Sequence, residues 1–112
     1  MLITVLAMLG CKKDPYMNFG FDCGFHKLSS GLVIADVSQS DNTVYLAGNI
    51  SVTEGKLEVN LIGPNQSVIY SKTLIAPVEV HINEIFDACP GYWKLKYKSW
   101  DGDGSIDLHL YK

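Results

Sequence analysis

From Leu32 onward, apolar residues recur at every second position and small or polar residues punctuate the chain at short intervals. A period of two places successive side chains on opposite faces of a strand, so each such run predicts a strand with one buried face. Val44, Leu46, Gly48, Ile50 and Val52 alternate with Tyr45, Ala47, Asn49 and Ser51; Leu57, Val59 and Leu61 alternate with Glu58 and Asn60. Val78, Val80 and Ile82 alternate with Glu79 and His81, Trp93, Leu95 and Tyr97 with Lys94 and Lys96, and Ile106, Leu108 and Leu110 with Asp107 and His109. With Leu32 to Val37 and Ser67 to Leu74 added, the pattern predicts seven strands. No stretch keeps a helical period for three turns, although Ile85-Phe86-Asp87-Ala88 could form one short turn. Seven short strands with one-sided alternation predict an all-β domain over residues 26–112, an immunoglobulin-like β-sandwich of antiparallel strands.

Two connections carry information about register. Val52 and Leu57 both belong to the buried face, so direct pairing requires the four-residue loop Thr53-Glu54-Gly55-Lys56; otherwise the chain crosses between sheets there, because a one-residue slip would turn a whole face outward. Trp100-Asp101-Gly102-Asp103-Gly104-Ser105 is turn chemistry between two clean strands, and predicts a hairpin. In that hairpin Leu95 opposes Leu110 and Tyr97 opposes Leu108 inside, while Lys98 opposes Asp107 and Lys96 opposes His109 outside. The alternate placement of Asp101, Asp103, Ser105 and Asp107 resembles the start of an EF-hand calcium loop. The likeness stops there: Ile106 stands where the loop needs Gly, Lys112 where it needs Glu, and a strand follows where a helix is required.

The first ten residues, Met1 to Gly10, are an uncharged apolar run that ends at Cys11-Lys12-Lys13-Asp14-Pro15. A membrane-spanning helix needs about 20 apolar residues, whereas the apolar region of a signal peptide needs only ~7 to 15. Length therefore favours an export signal over residues 1–10. Met8-Leu9-Gly10-Cys11 resembles a lipobox, with Met8 where the first position usually carries Leu; in that motif the Cys after the cut is acylated. Cys11-Lys12-Lys13-Asp14 further resembles the start of Bacteroidetes-type lipoproteins, in which Lys and acidic residues soon after the Cys accompany display at the outer membrane. The resemblance implies lipidation of Cys11, a membrane partner through that anchor, and an outer-membrane location on the periplasmic side or the cell surface. Residues 11–25 are then the lipidated Cys and its tether, short enough to keep the domain near the lipid.

If Cys11 carries lipid, Cys23 and Cys89 remain, and an exported compartment allows them to pair. A bridge would close a loop of about 66 residues, worth on the order of 4 kcal/mol in the chain-entropy model. Cys23, His26 and Cys89 offer only three zinc ligands without paired spacing, and no metal or other cofactor is expected.

A net charge of -3 over 112 residues provides no excess of cations to displace phosphate counterions, which argues against nucleic acid as a partner. The charges that stand out are local. Lys94, Lys96 and Lys98 form a basic stripe on the outward face of their strand, with Tyr92 and Trp100 at its ends and His109 and Tyr111 on the strand expected beside it. Tyr92, Lys94, Lys96, Lys98, Trp100 and His109 could form a platform on which rings stack on a sugar and ammonium groups donate to an anion. The competing reading is that alternating lysines protect an exposed or edge strand from pairing with other chains. His26, His81 and His109 have no recognisable nucleophile beside them, so no enzyme is expected. The sequence thus predicts a membrane-anchored binding or assembly module of the cell envelope, with a glycan or envelope protein as its partner. A structural subunit of a surface assembly is the alternative, and a small hydrolase or metal-dependent enzyme a more distant one.

Overall fold

The computed structural model describes residues 18–112; the apolar run, Cys11 and the first part of the tether lie outside the described residues. Five antiparallel strands form one sheet: β1 (Asn18–Val37), β2 (Thr43–Ile62), β3 (Val68–Ile75), β4 (Val78–Asp87) and β5 (Gly91–Tyr111). Their order is β1-β5-β2-β3, with β4 also paired to β2. The all-β class is as the alternation predicts. The strand count is five, not seven, because two pairs of expected strands are each one continuous strand.

The difference lies where turns were expected. Thr53 to Lys56 does not reverse the chain, and β2 runs through it with register shifts at Val52/Glu54 and Glu54/Lys56. Trp100 to Ser105 likewise lies inside β5 and makes no hairpin. Leu95 is paired with Val33 and Leu61, and Leu110 with Leu46, rather than with each other. β1 shifts register at the same level, between Lys27 and Ser29. Lys27, Gly55 and Asp101 have φ of 56°, 71° and 49°, and Lys27 pairs with Gly102 while Glu54 pairs with Asp103. Left-handed residues on three neighbouring strands therefore align into a crease. Each is a β-bulge, which inserts an extra residue, bends the strand and resets its alternation. That extra residue is why Val52 and Leu57 can both face inward. Gly55 is required: a Cβ there would lie 2.2 Å from the Asp101 carbonyl oxygen, and its φ of +71° disfavours side chains. Lys27 and Asp101 adopt this region without being glycine, at a cost of order 1 kcal/mol each.

The crease divides the sheet into two arms. The first holds Ser29–Val37 of β1, Gly91–Ser99 of β5, Lys56–Ile62 of β2 and all of β3. The second holds residues 18–27 of β1, Gly104–Tyr111 of β5, Thr43–Val52 of β2 and β4. Val33, Leu57, Leu61, Trp93 and Leu95 of the first arm and Phe21, Leu46, Ile50, Ile106 and Leu108 of the second belong to one buried cluster. Rings cross between the arms: Phe21 meets Tyr97 edge-on at 4.8 Å between centroids, and Phe86 lies 6.4 Å from Trp93. The sheet is thus folded over a single core. Trp93, 1 % exposed, is the largest side chain in it, and its indole N–H is satisfied by the Cys89 carbonyl at 2.8 Å. Ser99, a buried hydroxyl at the crease, donates to the Lys27 carbonyl at 2.6 Å and accepts from the Ser29 backbone N–H at 3.1 Å.

Three further expectations are corrected. The domain begins by Asn18 rather than residue 26: Phe21 and Phe25, placed in the tether by sequence, are core residues. Ile85, Phe86 and Asp87 are the end of β4, not a helical turn. The Cys23–Cys89 bridge is not formed, and Cys89 is an exposed free thiol. The β1–β5 ladder explains why: Cys23 pairs with Ile106 at one end, whereas Cys89 precedes Gly91, which pairs with Val37 at the other.

Candidate binding faces

Lys94, Lys96 and Lys98 all project outward from the first arm, as their alternation with the buried Trp93, Leu95 and Tyr97 demands. β5 is not an edge strand, however. It is hydrogen-bonded on both sides, to β1 and to β2, so its lysines have no unpaired edge to protect. Lys94 sits between Ile34 and Ile62, Lys96 between Leu32 and Asn60, and Lys98 between Ser30 and Glu58. Leu32 and Ile34 are 40 % and 46 % exposed, and Tyr92 is 62 % exposed. Among the described residues none of these three lysines is in an ion pair.

Trp100 does not stand alone at the end of the stripe. Lys98 Nζ lies 5.1 Å from its ring centroid and Lys56 Nζ lies 4.6 Å from it. Lys56 comes from β2, directly paired with Trp100, and sequence reasoning missed it because that pairing is long-range. Each cation–π contact is worth about 0.5–1 kcal/mol at an exposed site. The indole therefore gathers two ammonium groups that repel one another, an arrangement that an anion placed between them would relieve. Tyr92 does not join this group: along β5 it is ~27 Å from Trp100 at ~3.4 Å per residue.

His109 is not part of the lysine face. It projects from the outer face of the second arm, where its Nε2 is 2.7 Å from Asp107 Oδ1 and its ring is 6.2 Å from Tyr111. The same face carries Asp22, Asp103, Asp107, Glu79 and Asp87 on neighbouring strands, with the exposed Lys27 at its crease end. All three histidines lie here, with His26 Nδ1 3.5 Å from Asp103 Oδ1 and His81 Nδ1 2.9 Å from Asn49 Oδ1. Asp103, Ser105 and Asp107 are spread along a strand rather than wrapped in a loop. No group of His, Cys, Asp or Glu among the described residues is placed to hold a metal ion.

Two local environments bear on titration. Asp41, in the connection between β1 and β2, accepts from the Ser38 backbone N–H at 2.8 Å and from its hydroxyl at 3.1 Å; the backbone bond in particular holds its carboxyl below the ordinary value. Burial pushes the Tyr97 hydroxyl upward, with a bond to Ser29 acting against it. No protein-family model matches the chain, and no curated protein sequence is similar enough to count as a relative.

Proposed function

We propose that this protein is a lipoprotein, anchored to the outer membrane through Cys11, whose domain binds an anionic glycan of the cell envelope on the lysine face of its first arm. We read the folded sheet as a β-sandwich and the domain as a binding module rather than an enzyme. The observation that carries the reading is the segregation of charge. Lys56, Lys94, Lys96 and Lys98 share one outer face near Trp100 and outnumber its carboxylates Glu58 and Asp36, while the outer face of the second arm is dominated by carboxylates. Apolar Leu32, Ile34 and Tyr92 beside those lysines supply surface for the carbon skeleton of a sugar.

The test uses the full chain with Cys11→Ser, titrated with acidic and neutral polysaccharides of similar size. Binding of the acidic glycan that weakens as salt rises, and its loss in the K94Q/K96Q/K98Q variant, is the expected result. Equal binding of the neutral glycan, or full binding by the triple variant, would overturn it. The anchor is tested separately by the mass of the mature N-terminus from native membranes: an acylated Cys11 supports it, and an intact Met1 removes it.

A second reading, assembly by strand addition, is favoured by β1. Among the described residues this 20-residue strand pairs only with β5, and its Ser29–Val37 half contains neither Lys nor Pro. Such an edge is a template for an extended segment of another envelope protein. Ile34→Lys would lower capture of such a partner without touching the lysines.

A further inference from the structure

A cavity of about 630 Å³ opens at the crease beside β1, within the size range of sites for small organic molecules. We propose that it binds a small organic cation, an ammonium or guanidinium group carried on an apolar stem. Phe25, Leu28 and Tyr97 provide the apolar wall, Ser29 a hydroxyl, and His26 and Asp103 the polar mouth. Of the lining residues only Asp103 carries a formal charge at neutral pH. Its side chain is 49 % exposed, and the ring of His26 has its Nδ1 3.5 Å from Asp103 Oδ1, a contact that is an ion pair only when the imidazole is protonated. Glu54 is paired with Asp103 across the sheet and Asp101 lies two residues back, while the exposed Lys27 follows His26 on β1, so two carboxylates besides Asp103 and one ammonium surround the mouth. No lysine lines the cavity. A cation seated there would gain a carboxylate that the fold leaves half-solvated, while its stem would cover Leu28, which is 69 % exposed. The bulge in β1 creates the room. It carries the chain outward between Lys27 and Ser29, and Ser99 holds the displaced backbone open through its bonds to both residues.

This site lies at the crease, meets the lysine face only at Ser30, the cross-strand partner of Lys98, and takes ligands of the opposite charge, so the two readings are tested by different probes. The test is a titration of the isotope-labelled full chain, Cys11→Ser, followed by backbone NMR shifts at Gly24, Ser29 and Gly104. The probes are Nα-acetyl-arginine amide and its neutral isostere Nα-acetyl-citrulline amide. Saturable shifts with the arginine probe and at least tenfold weaker binding of the citrulline probe are expected. Asp103→Asn should weaken the arginine probe about tenfold while signal dispersion is retained, and Leu28→Ser should weaken both probes. D22N/D107N, which removes carboxylates elsewhere on the second arm, should leave binding unchanged, as should K94Q/K96Q, which lies farther along β5. Equal binding of the two probes, an unaffected Asp103→Asn variant, or loss of binding in D22N/D107N would overturn the proposal.

Discussion

The outer faces of the two arms come from the same strands and differ in almost every chemical respect. On the first arm, Lys56, Lys94, Lys96 and Lys98 stand among Leu32, Ile34, Tyr92 and Trp100, with Glu58 and Asp36 as the carboxylates between them. On the second, Asp22, Asp103, Asp107, Glu79 and Asp87 stand among His26, His81 and His109. β5 contributes to both: its first half supplies the lysine stripe and its second half the aspartates. A net charge of -3 is thus the sum of two opposed patches rather than a thin uniform coat. The patches have opposite fields at short range, and in physiological salt each is felt only within about 8 Å. A partner therefore meets one face or the other, not the average.

Removing the bend that creates the two faces should have the largest effect. Gly55→Val places a branched side chain at φ +71° against the Asp101 backbone, which has little room to move. We expect about 2–4 kcal/mol of destabilisation, read as a lower urea midpoint. A loss within 0.5 kcal/mol would mean that the crease does not depend on this glycine.

Next is the lysine face itself. K94Q/K96Q/K98Q should reduce affinity for an acidic glycan more than tenfold and flatten its salt dependence, with thermal stability nearly unchanged because the lysines form no ion pairs among the described residues. The matching D22N/D107N variant should leave glycan affinity as it was. If both variants weaken binding alike, the two faces are not functionally distinct. Trp100→Ala sharpens the point at smaller scale. Losing the ring that gathers Lys56 and Lys98 should cost about 0.5–1 kcal/mol per contact, at most about two- to fivefold in affinity for each.

The smallest effect concerns acid stability away from both faces. Asp41 is held below the ordinary carboxyl value by Ser38, so its contribution is complete above the unfolded carboxyl pKa of about 3.9 and is lost as pH falls through its lower folded value. Asp41→Asn should therefore narrow the stability difference between pH 7 and pH 2 slightly, as followed by thermal melts in that range. An identical acid limb in the variant would show that the Ser38 bonds do not persist in solution.

Much of this arrangement is legible in the sequence. The inward set Val44, Leu46, Ile50, Val52, Leu57, Val59, Leu61, Trp93, Leu95, Tyr97, Ile106, Leu108 and Leu110 is buried as the alternation predicts, and the lysines of β5 face outward. The first half of β1 carries the same alternation, Phe21, Cys23 and Phe25 with Asp22 and Gly24 between them, but assigning residues 11–25 to a tether behind Cys11 passes over it. Of the candidate site, Lys94, Lys96, Lys98 and Trp100 are brought onto one face; His109 is not, and Lys56 enters from another strand.

What the sequence determined by itself is the class of structure and the side of the sheet on which most residues lie, because a two-residue period is a local property of the backbone. Whether Thr53 to Lys56 and Trp100 to Ser105 reverse the chain or bend it was decided only by tertiary structure. Gly55 and the Asp101-Gly102 step supply positive φ equally well to a hairpin and to a bulge. The choice fell to the bulge in a fold where Phe21 meets Tyr97 and Phe86 approaches Trp93 across one core. The same choice separated the lysines from the aspartates, since a bent strand carries its two halves onto different faces where a hairpin would have laid them side by side.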